Sequence, residues 1–236
     1  MNSSTCSPAN SRYSNGASAA FFDVDNTLIN IKSMFSFLDY IEETCSECAK
    51  RMHQHKYQLS VLAKNQFKRE YINRFYYSVF SGLEVSTVHG WGEDWYKKIC
   101  EMDGFFIDKS IRLLRMHQSE FRPVIFVSGS FNVLLNPIAR ELSVSDVIAT
   151  DLEIVDGCYT GKLLNDPTIG FGKFKKIRSY AINNKINLNL SYAYGDDVSD
   201  LNMLSAVGFP GIVNPNYEIL KQAPNYIRNN VELLSI

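Results

Sequence analysis

The sequence predicts an α/β fold built on a parallel sheet, with a helical segment inserted after the first strand. Apolar runs without polar alternation at residues 19–24, 123–127 and 190–194 are typical of strands covered on both faces. Helical spacing separates these runs, and such alternation favours right-handed crossovers and a parallel sheet. Between residues 31 and 110, helical spacing continues without a proline.

The inserted segment is expected to contain about four helices. Long stretches show helical spacing with glycine as the only punctuation, at residues 33–43, 49–64, 66–80 and 85–101. Residues 31–110 also hold 15 of the 30 aromatic residues. Because a small helical unit has little interior, most of these rings are expected to pack there.

The rest of the chain continues the alternation of strands and helices. A hairpin is predicted over residues 153–163, turning at Asp156-Gly157, and strand 208–213 with its following helix is expected to close the sheet. The remaining elements are helices at 107–118, from 131 to 142, 173–183 and 200–206, and a strand at 147–149.

Length and charge restrict the classes of function. A chain of 236 residues suits one large domain or a core with an inserted one. Its 24 basic and 25 acidic residues give a formal net charge of −1, which argues against a nucleic-acid binder. No apolar run approaches the length of a membrane span, and residues 1–18 are expected to form a disordered leader. We therefore expect a soluble, cytoplasmic protein.

Polar clusters follow three of the predicted strands. Asp23, Asp25 and Thr27 follow the first, Ser128-Gly129 the second, and Asp196, Asp197 and Asp200 the late one, while Lys173 begins a helix. Ligands bind beyond the carboxyl ends of parallel strands, so these groups are expected to meet at one edge. Buried carboxylates repel one another without a cation, and donors that are all oxygen suit Mg²⁺.

These motifs resemble those of the haloacid dehalogenase superfamily of phosphohydrolases. Asp23-Val24-Asp25-Asn26-Thr27, Ser128, Lys173 and Gly195-Asp196-Asp197-Val198-Ser199-Asp200 carry the resemblance, which runs from about residue 19 to the C-terminus. An insertion directly after the first motif is similar to the phosphoserine-phosphatase-like branch, subfamily IB. The resemblance implies a Rossmann-like core, residues 19–30 and 111–236, and a C1-type all-helical cap, residues 31–110.

The resemblance also implies a role for each motif residue in an Mg²⁺-dependent phosphatase. Asp23 would be the nucleophile that forms an aspartyl phosphate, and Asp25 the general acid and base. Asp23, the backbone carbonyl of Asp25 and Asp196 would hold Mg²⁺, with Asp200 behind them. The phosphate would be bound by Ser128, Gly129 and Lys173, with Thr27 beside them fixing the loop of the two aspartates.

The cap is expected to bind the non-phosphate part of a small phosphorylated metabolite and so to determine specificity. Phosphoserine phosphatases place a glutamate where ungapped counting finds Lys32, and a cation there would repel an ammonium group. Lys32 therefore argues against phosphoserine, although a solvent-facing lysine is an equally good interpretation. Arg74 is a further candidate for substrate binding, with Lys68 and Arg69 as alternatives.

Two other functions remain open from the sequence. A phosphomutase or phosphotransferase would use the same aspartyl phosphate, and a non-catalytic phosphate-binding module could keep the fold. The presence of Asp25 favours phosphatases and phosphomutases, because a pure binder needs no acid at that position. Oligomeric state and substrate identity are not readable from the residues.

Overall fold

A computed structural model describes residues 16–225, residue 227 and residues 232–234. The predicted leader, residues 1–18, therefore lies outside the described residues over positions 1–15. Residues 16–18 contact the core, since the backbone N–H of Gly16 donates to the carbonyl of Lys185 over 3.3 Å. The N–H of Asn187 likewise donates to the carbonyl of Ala17 over 2.8 Å.

The described residues form a six-stranded parallel sheet and a separate antiparallel hairpin. In the sheet, the strand order is β3-β2-β1-β6-β7-β8, and Phe21 of β1 lies opposite Ile125 and Ala193. This arrangement confirms the predicted α/β class with its parallel core. The strands are β1 Ala20–Phe22, β2 Val124–Val127, β3 Asp146–Ile148, β4 Leu152–Val155, β5 Cys158–Leu163, β6 Tyr192–Gly195, β7 Phe209–Val213 and β8 Glu232–Leu234.

The hairpin and the last strand differ in how well the sequence predicts them. The β4-β5 hairpin is confirmed, and its turn residues Asp156 and Gly157 both have positive φ, 49° and 77°. The expectation that residues 208–213 and a helix close the sheet is wrong, because β8 pairs with β7 and sets Leu233 opposite Ile212. A strand of three residues gives too short an apolar run to be recognised.

Both faces of the central strands are buried, which explains their unbroken apolar runs. Phe22 and Phe126 point to one face, while Phe21 and Ile125 point to the other, and all four are fully buried. The cluster on the first face includes Leu114 and Leu134, from the helices at 108–119 and 132–141, together with side chains of the inserted segment. The cluster on the second face includes Ile177 and Met203, from helices of the C-terminal half.

Helices cover the sheet and fill the inserted segment. The segment holds α1 to α4, close to the predicted positions, although α3 begins at Arg69 and continues as a 3-10 turn over Ser78–Phe80. No helix of the described residues combines the length and apolar character needed to cross a bilayer. The helices are α1 Ser33–Thr44, α2 Ser46–Lys64, α3 Arg69–Tyr77, α4 Val85–Ile99, α5 Asp108–Ser119, α6 Asn132–Glu141, α7 Phe171–Asn184, α8 Leu201–Leu204 and α9 Tyr217–Gln222.

Aromatic rings fill the interior of the inserted segment and join it to the core. Phe37 lies 6.0 Å from Trp95 and 6.1 Å from Phe80 between ring centroids, and Phe80 lies 5.3 Å from Phe131, which precedes α6. At Gly92 a Cβ atom would lie 2.5 Å from a methyl group of Val133, so α4 packs directly on α6. The aromatic enrichment of this segment is thus largely packing.

A buried histidine connects α5 to the sheet in a fixed protonation state. Arg122 donates to Nδ1 of His117, and because a guanidinium can only donate, Nδ1 must accept. The proton therefore sits on Nε2, which lies 2.9 Å from the hydroxyl of Tyr194. Burial, and then repulsion from Arg122, lower the pKa of His117 to about 4, against a weaker opposing effect of Glu120.

This histidine predicts a specific loss of stability in mild acid. The unfolded state, with a histidine pKa near 6.5, binds a proton that the folded state excludes until about pH 4. From pH 7 to pH 5, His117 should thus lower the free energy of unfolding by about 2 kcal/mol. Urea unfolding of His117→Gln should lack this component, while His53→Gln, at an exposed position, should keep it. Equal pH dependence in His117→Gln and wild type would contradict the assignment.

Candidate active site

Four predicted residues converge at the carboxyl edge of the sheet. Asp23 follows β1, Ser128 follows β2 and Asp196 follows β6, and these three strands are adjacent in the sheet. Lys173 comes from the first turn of α7 and is 2% exposed. The order of strands therefore brings together groups that are separated by up to 173 positions in the chain, from Asp23 to Asp196.

Lys173 bridges two buried carboxylates. Its Nζ donates to Oδ1 of Asp23 and to Oδ1 of Asp200, each over 2.6 Å. Burial alone lowers the pKa of an ammonium group, but the carboxylates of Asp200 and then Asp23 outweigh it, and the pKa of Lys173 is raised. The lysine is therefore held in its charged form.

The two aspartates of the first motif have unusual proton affinities. Burial, and then repulsion from Asp200, raise the pKa of Asp23 to about 8, against the opposing pull of Lys173. Burial, and then repulsion from Asp23, raise the pKa of Asp25 to about 7. The backbone N–H of Ser33 donates to Oδ2 of Asp25 over 3.0 Å, while its buried Oδ1 has no protein partner.

The late acidic motif is built so that its side chains face this pair. Thr27 is fully buried, and its hydroxyl donates to Oδ1 of Asp196 over 3.1 Å. Oδ2 of Asp200 accepts the backbone N–H groups of Asp196 and Asp197, over 3.2 and 3.1 Å. At Gly195 a Cβ atom would lie 2.6 Å from the Cβ of Asp200, so only glycine fits there.

This donor set fits a hard divalent cation. Carboxylate oxygens of Asp23, Asp196 and Asp200 lie within 4.8 Å of one another, and the ammonium group of Lys173 contacts two of the three carboxylates, those of Asp23 and Asp200. Burial, and then repulsion from Asp200, raise the pKa of Asp196 to about 6. A cation would relieve this repulsion, and donors that are all oxygen suit Mg²⁺ better than zinc or copper.

The Ser128-Gly129 loop is held from both sides. The hydroxyl of Ser128 accepts the backbone N–H of Ser130 over 3.1 Å. The carbonyl of Gly129 accepts three hydrogen bonds: from Nδ2 of Asn73 over 3.0 Å, from the hydroxyl of Tyr77 over 2.7 Å and from the hydroxyl of Thr150 over 3.0 Å. Two of the three donors lie on α3, so the inserted segment fixes this loop.

A cavity of about 470 Å³ lies above these groups, between the sheet edge and the inserted helices. A larger depression of about 540 Å³ beside α7 contains none of the predicted catalytic groups. From the core, the 470 Å³ cavity is lined by both aspartates of the first motif, by Ser128, Gly129 and Lys173, and by Asp196. From the inserted segment, it is lined by Lys32, Met34, Phe35, Leu59, Ala63, Phe67, Arg69, Ile72, Asn73 and Tyr76.

Comparison with known proteins assigns the family. A family model described as haloacid dehalogenase-like hydrolase matches residues 20–205, which is most of the chain. The chain belongs to the haloacid dehalogenase-like hydrolase family. The resemblance drawn from the four motifs is thereby confirmed.

This haloacid dehalogenase-like hydrolase is similar to one named relative in sequence and to two solved structures in fold. A Mycobacterium tuberculosis protein named phosphoserine phosphatase SerB1 is 32% identical over 204 residues, 84% of this chain but 65% of that protein. A Bordetella pertussis protein of unknown function superposes with a TM-score of 0.81 at 22% identity, covering 93% of this chain and 99% of its own. A phosphoserine phosphatase carrying a phospho-aspartyl intermediate analogue gives 0.63 at 19% identity, covering 93% and 94%. The two structures show the shared fold.

The candidate residues of the inserted segment have different positions in this hydrolase. Lys32 is exposed and lines the cavity, whereas Arg74 is not part of the cavity lining and pairs with Asp166 over 2.9 Å. Arg69 lines the cavity and forms an ion pair with Asp197 of the late motif. Thr27 is likewise absent from the lining and acts on Asp196 instead.

Sequence reasoning missed the neutral residues of α3. Asn73 and Tyr77 are both buried and both donate to the loop carbonyl of Gly129, yet only charged residues of this helix were considered as candidates. Thr150, the third donor to this carbonyl, was not among the candidates either. A buried asparagine on an amphipathic helix is a usable signal, because such a side chain needs a hydrogen-bond partner.

Proposed function

We propose that this hydrolase is an Mg²⁺-dependent phosphatase that cleaves small phosphate monoesters through an aspartyl phosphate on Asp23. The observation that carries the proposal is the contact of Lys173 with Asp23 over 2.6 Å in a cavity that also contains Asp25. Asp23 would attack phosphorus, and Lys173 would then balance charge on the transferring group. The comparisons support a hydrolase of this family, and the relative named phosphoserine phosphatase SerB1 supports phosphate esters as the substrate class.

Asp25 would serve as the general acid and base. Its pKa, raised to about 7, suits a group that gives a proton to the leaving alcohol and later takes one from water. Asp23 is bonded to phosphorus in the second step and is then unavailable as a base. The N–H of Ser33 would keep Oδ2 of Asp25 in place, leaving Oδ1 for the proton.

The phosphate would sit between the Ser128-Gly129 loop and Lys173. The hydroxyl of Ser128 and the amide of Gly129 would donate to its oxygens, and Lys32 would add positive charge from the cap side. The grip of Asn73 and Tyr77 on the Gly129 carbonyl would orient that loop.

Mg²⁺ would be held by Asp23, by Asp196 and by the backbone carbonyl of Asp25, with Asp200 fixing the neighbouring backbone. When bound, the ion supplies charge neutralisation that lets a carboxylate approach a phosphate dianion. Thr27 would orient the carboxylate of Asp196 from behind.

Residues 31–110 would act as a cap that excludes water during transfer. Contacts of this segment reach the core at the cavity itself, among them those of Asn73 and Tyr77 with Gly129 and that of Arg69 with Asp197. These contacts would form a closed state that opens for substrate exchange.

The test is phosphate release from a panel of small phosphate monoesters, with Mg²⁺ and with EDTA. We expect turnover that requires Mg²⁺ and yields inorganic phosphate. Phosphorus NMR monitors the product. A product phosphorylated on a second hydroxyl would identify a phosphomutase instead. Binding of esters without any turnover in Mg²⁺ would overturn the proposal and favour a phosphate-binding module.

A further inference from the structure

The cap side of the 470 Å³ cavity is mainly apolar. Six of its ten lining side chains from the inserted segment carry no polar group except a thioether: Met34, Phe35, Leu59, Ala63, Phe67 and Ile72. Phe35 and Phe67 are 43% and 48% exposed although they line a cavity. Exposed rings at the mouth of a pocket are available to cover an apolar ligand.

Polar groups on the cap side are few and mostly engaged. The hydroxyl of Tyr76 donates to the carbonyl of Met34 over 2.7 Å, and Nδ2 of Asn73 donates to Gly129. Oδ1 of Asn73 lacks a protein partner but is buried, and Arg69 is paired with Asp197, so Lys32 is the main polar group that this wall offers to a ligand. That is too little for a polyhydroxylated substrate, which needs several partners.

The ammonium group of a substrate would also lack a carboxylate partner on this wall. Among the lining residues that the structure describes, every carboxylate belongs to the core, and the cap contributes the cations Lys32 and Arg69. The core carboxylates are already engaged by Lys173, Ser33, Thr27 and Arg69. An amino-acid ammonium group would therefore be desolvated without compensation.

We propose that the preferred substrates are phosphate monoesters of apolar alcohols, whose hydrocarbon part lies against Phe35, Ala63, Phe67 and Ile72. This inference rests on the proposed function and specifies its leaving group. The phosphate lies on the polar floor made by the core, and the hydrocarbon lies on the apolar wall made by the cap. The preference follows from burial of apolar area that water otherwise covers.

The experiment compares primary alkyl phosphates of increasing length with O-phosphoserine, using the full chain with Mg²⁺. All these esters have primary alcohols as leaving groups, so differences in kcat/KM report mainly on binding of the remainder. We expect kcat/KM to rise roughly two- to fourfold per methylene from ethyl to hexyl phosphate. Phosphoserine should be no better than ethyl phosphate. A flat series, or phosphoserine above hexyl phosphate, overturns the inference.

Binding measured without turnover separates this inference from the proposed function. Calorimetry with ethylphosphonate and hexylphosphonate, which cannot be hydrolysed, should show the longer compound binding tighter by the same factor per methylene. If no ester is cleaved but the longer phosphonate binds more tightly, the proposed function fails and the inference of an apolar binding surface is supported. If both phosphonates bind equally, the inference fails whether or not esters are cleaved.

A pair of variants locates the preference on the wall. Phe67→Gln should reduce the ratio of kcat/KM for hexyl phosphate to kcat/KM for ethyl phosphate several-fold. Tyr57→Gln is the matched control, because Tyr57 is 69% exposed on α2 and is not part of the lining. If Phe67→Gln and Phe35→Gln both leave this ratio unchanged, the preference for longer alkyl chains does not arise from the apolar wall.

Discussion

Asp23→Asn is expected to reduce phosphate release by roughly 10³-fold or more, because it replaces the carboxylate proposed to attack phosphorus with a much less nucleophilic amide. Asparagine keeps the shape of the side chain, and the neutral amide relieves repulsion from Asp200, which contributes to the raised pKa of Asp23. The variant should therefore fold with a thermal stability equal to or above that of wild type. The measurement is phosphate release in Mg²⁺, with circular dichroism melting as the control. Activity at the wild-type level would refute Asp23 as nucleophile.

Asp25→Asn provides the matched comparison at the same site. It leaves the proposed nucleophile in place and removes the group proposed to protonate the leaving alcohol and to activate water. An aryl ester, whose alcohol departs without a proton, should still give a burst of alcohol equal to the enzyme concentration, followed by slow phosphate release. An alkyl ester should give neither. The absence of a burst, with both esters equally slow, would contradict the division of roles between Asp23 and Asp25.

The sequence predicts the core of the site well because topology does most of the placing. Parallel strands end at one edge, so polar residues after β1, β2 and β6 meet there once the strand order is set. Asp23, Ser128 and Asp196 follow this rule. Lys173 lies on α7, yet it is buried at the same edge of the sheet, because both of its carboxylate partners lie there.

The cap is less predictable, because which face of each helix points to the core depends on packing between helices distant in sequence. Arg74 and Asn73 are neighbours on α3, but Asn73 contacts Gly129 whereas Arg74 reaches Asp166 on the outside. A charge on a helix does not tell which way it points, whereas a buried neutral side chain is fixed by its need for a hydrogen bond. Specificity therefore has to be argued from geometry, as for Phe35 and Phe67.

Lys173→Met is expected to impair both activity and folding. Two carboxylates, those of Asp23 and Asp200, would remain buried without their shared ammonium partner. Removing one member of a buried ion pair costs about 3–5 kcal/mol of folding stability. The rate of phosphate release should fall by roughly 10²–10³-fold, since the positive charge of Lys173, which would face the transferring phosphoryl group, is lost. Urea unfolding is measured in EDTA, so that bound cations do not replace the missing charge.

Lys176→Met is the control on the same helix. Its Nζ lies 2.9 Å from Oδ2 of Asp151, in a partly exposed ion pair that solvent already screens. Removing such a pair changes stability by about 1 kcal/mol or less. A loss as large as that of Lys173→Met would indicate that any lysine of α7 is needed for folding, and the argument from buried charge would fail.

A second substitution separates charge compensation from catalysis. Adding Asp200→Asn to Lys173→Met removes one of the two uncompensated carboxylates and keeps a side chain of the same shape on the N–H groups of Asp196 and Asp197. Much of the lost stability should return, because burial raises the pKa of the remaining Asp23 and lets it take up a proton. Activity should stay low, because the ammonium group of Lys173 no longer faces the phosphate. Recovery of both would make Lys173 purely structural, whereas recovery of stability alone assigns it to phosphoryl transfer.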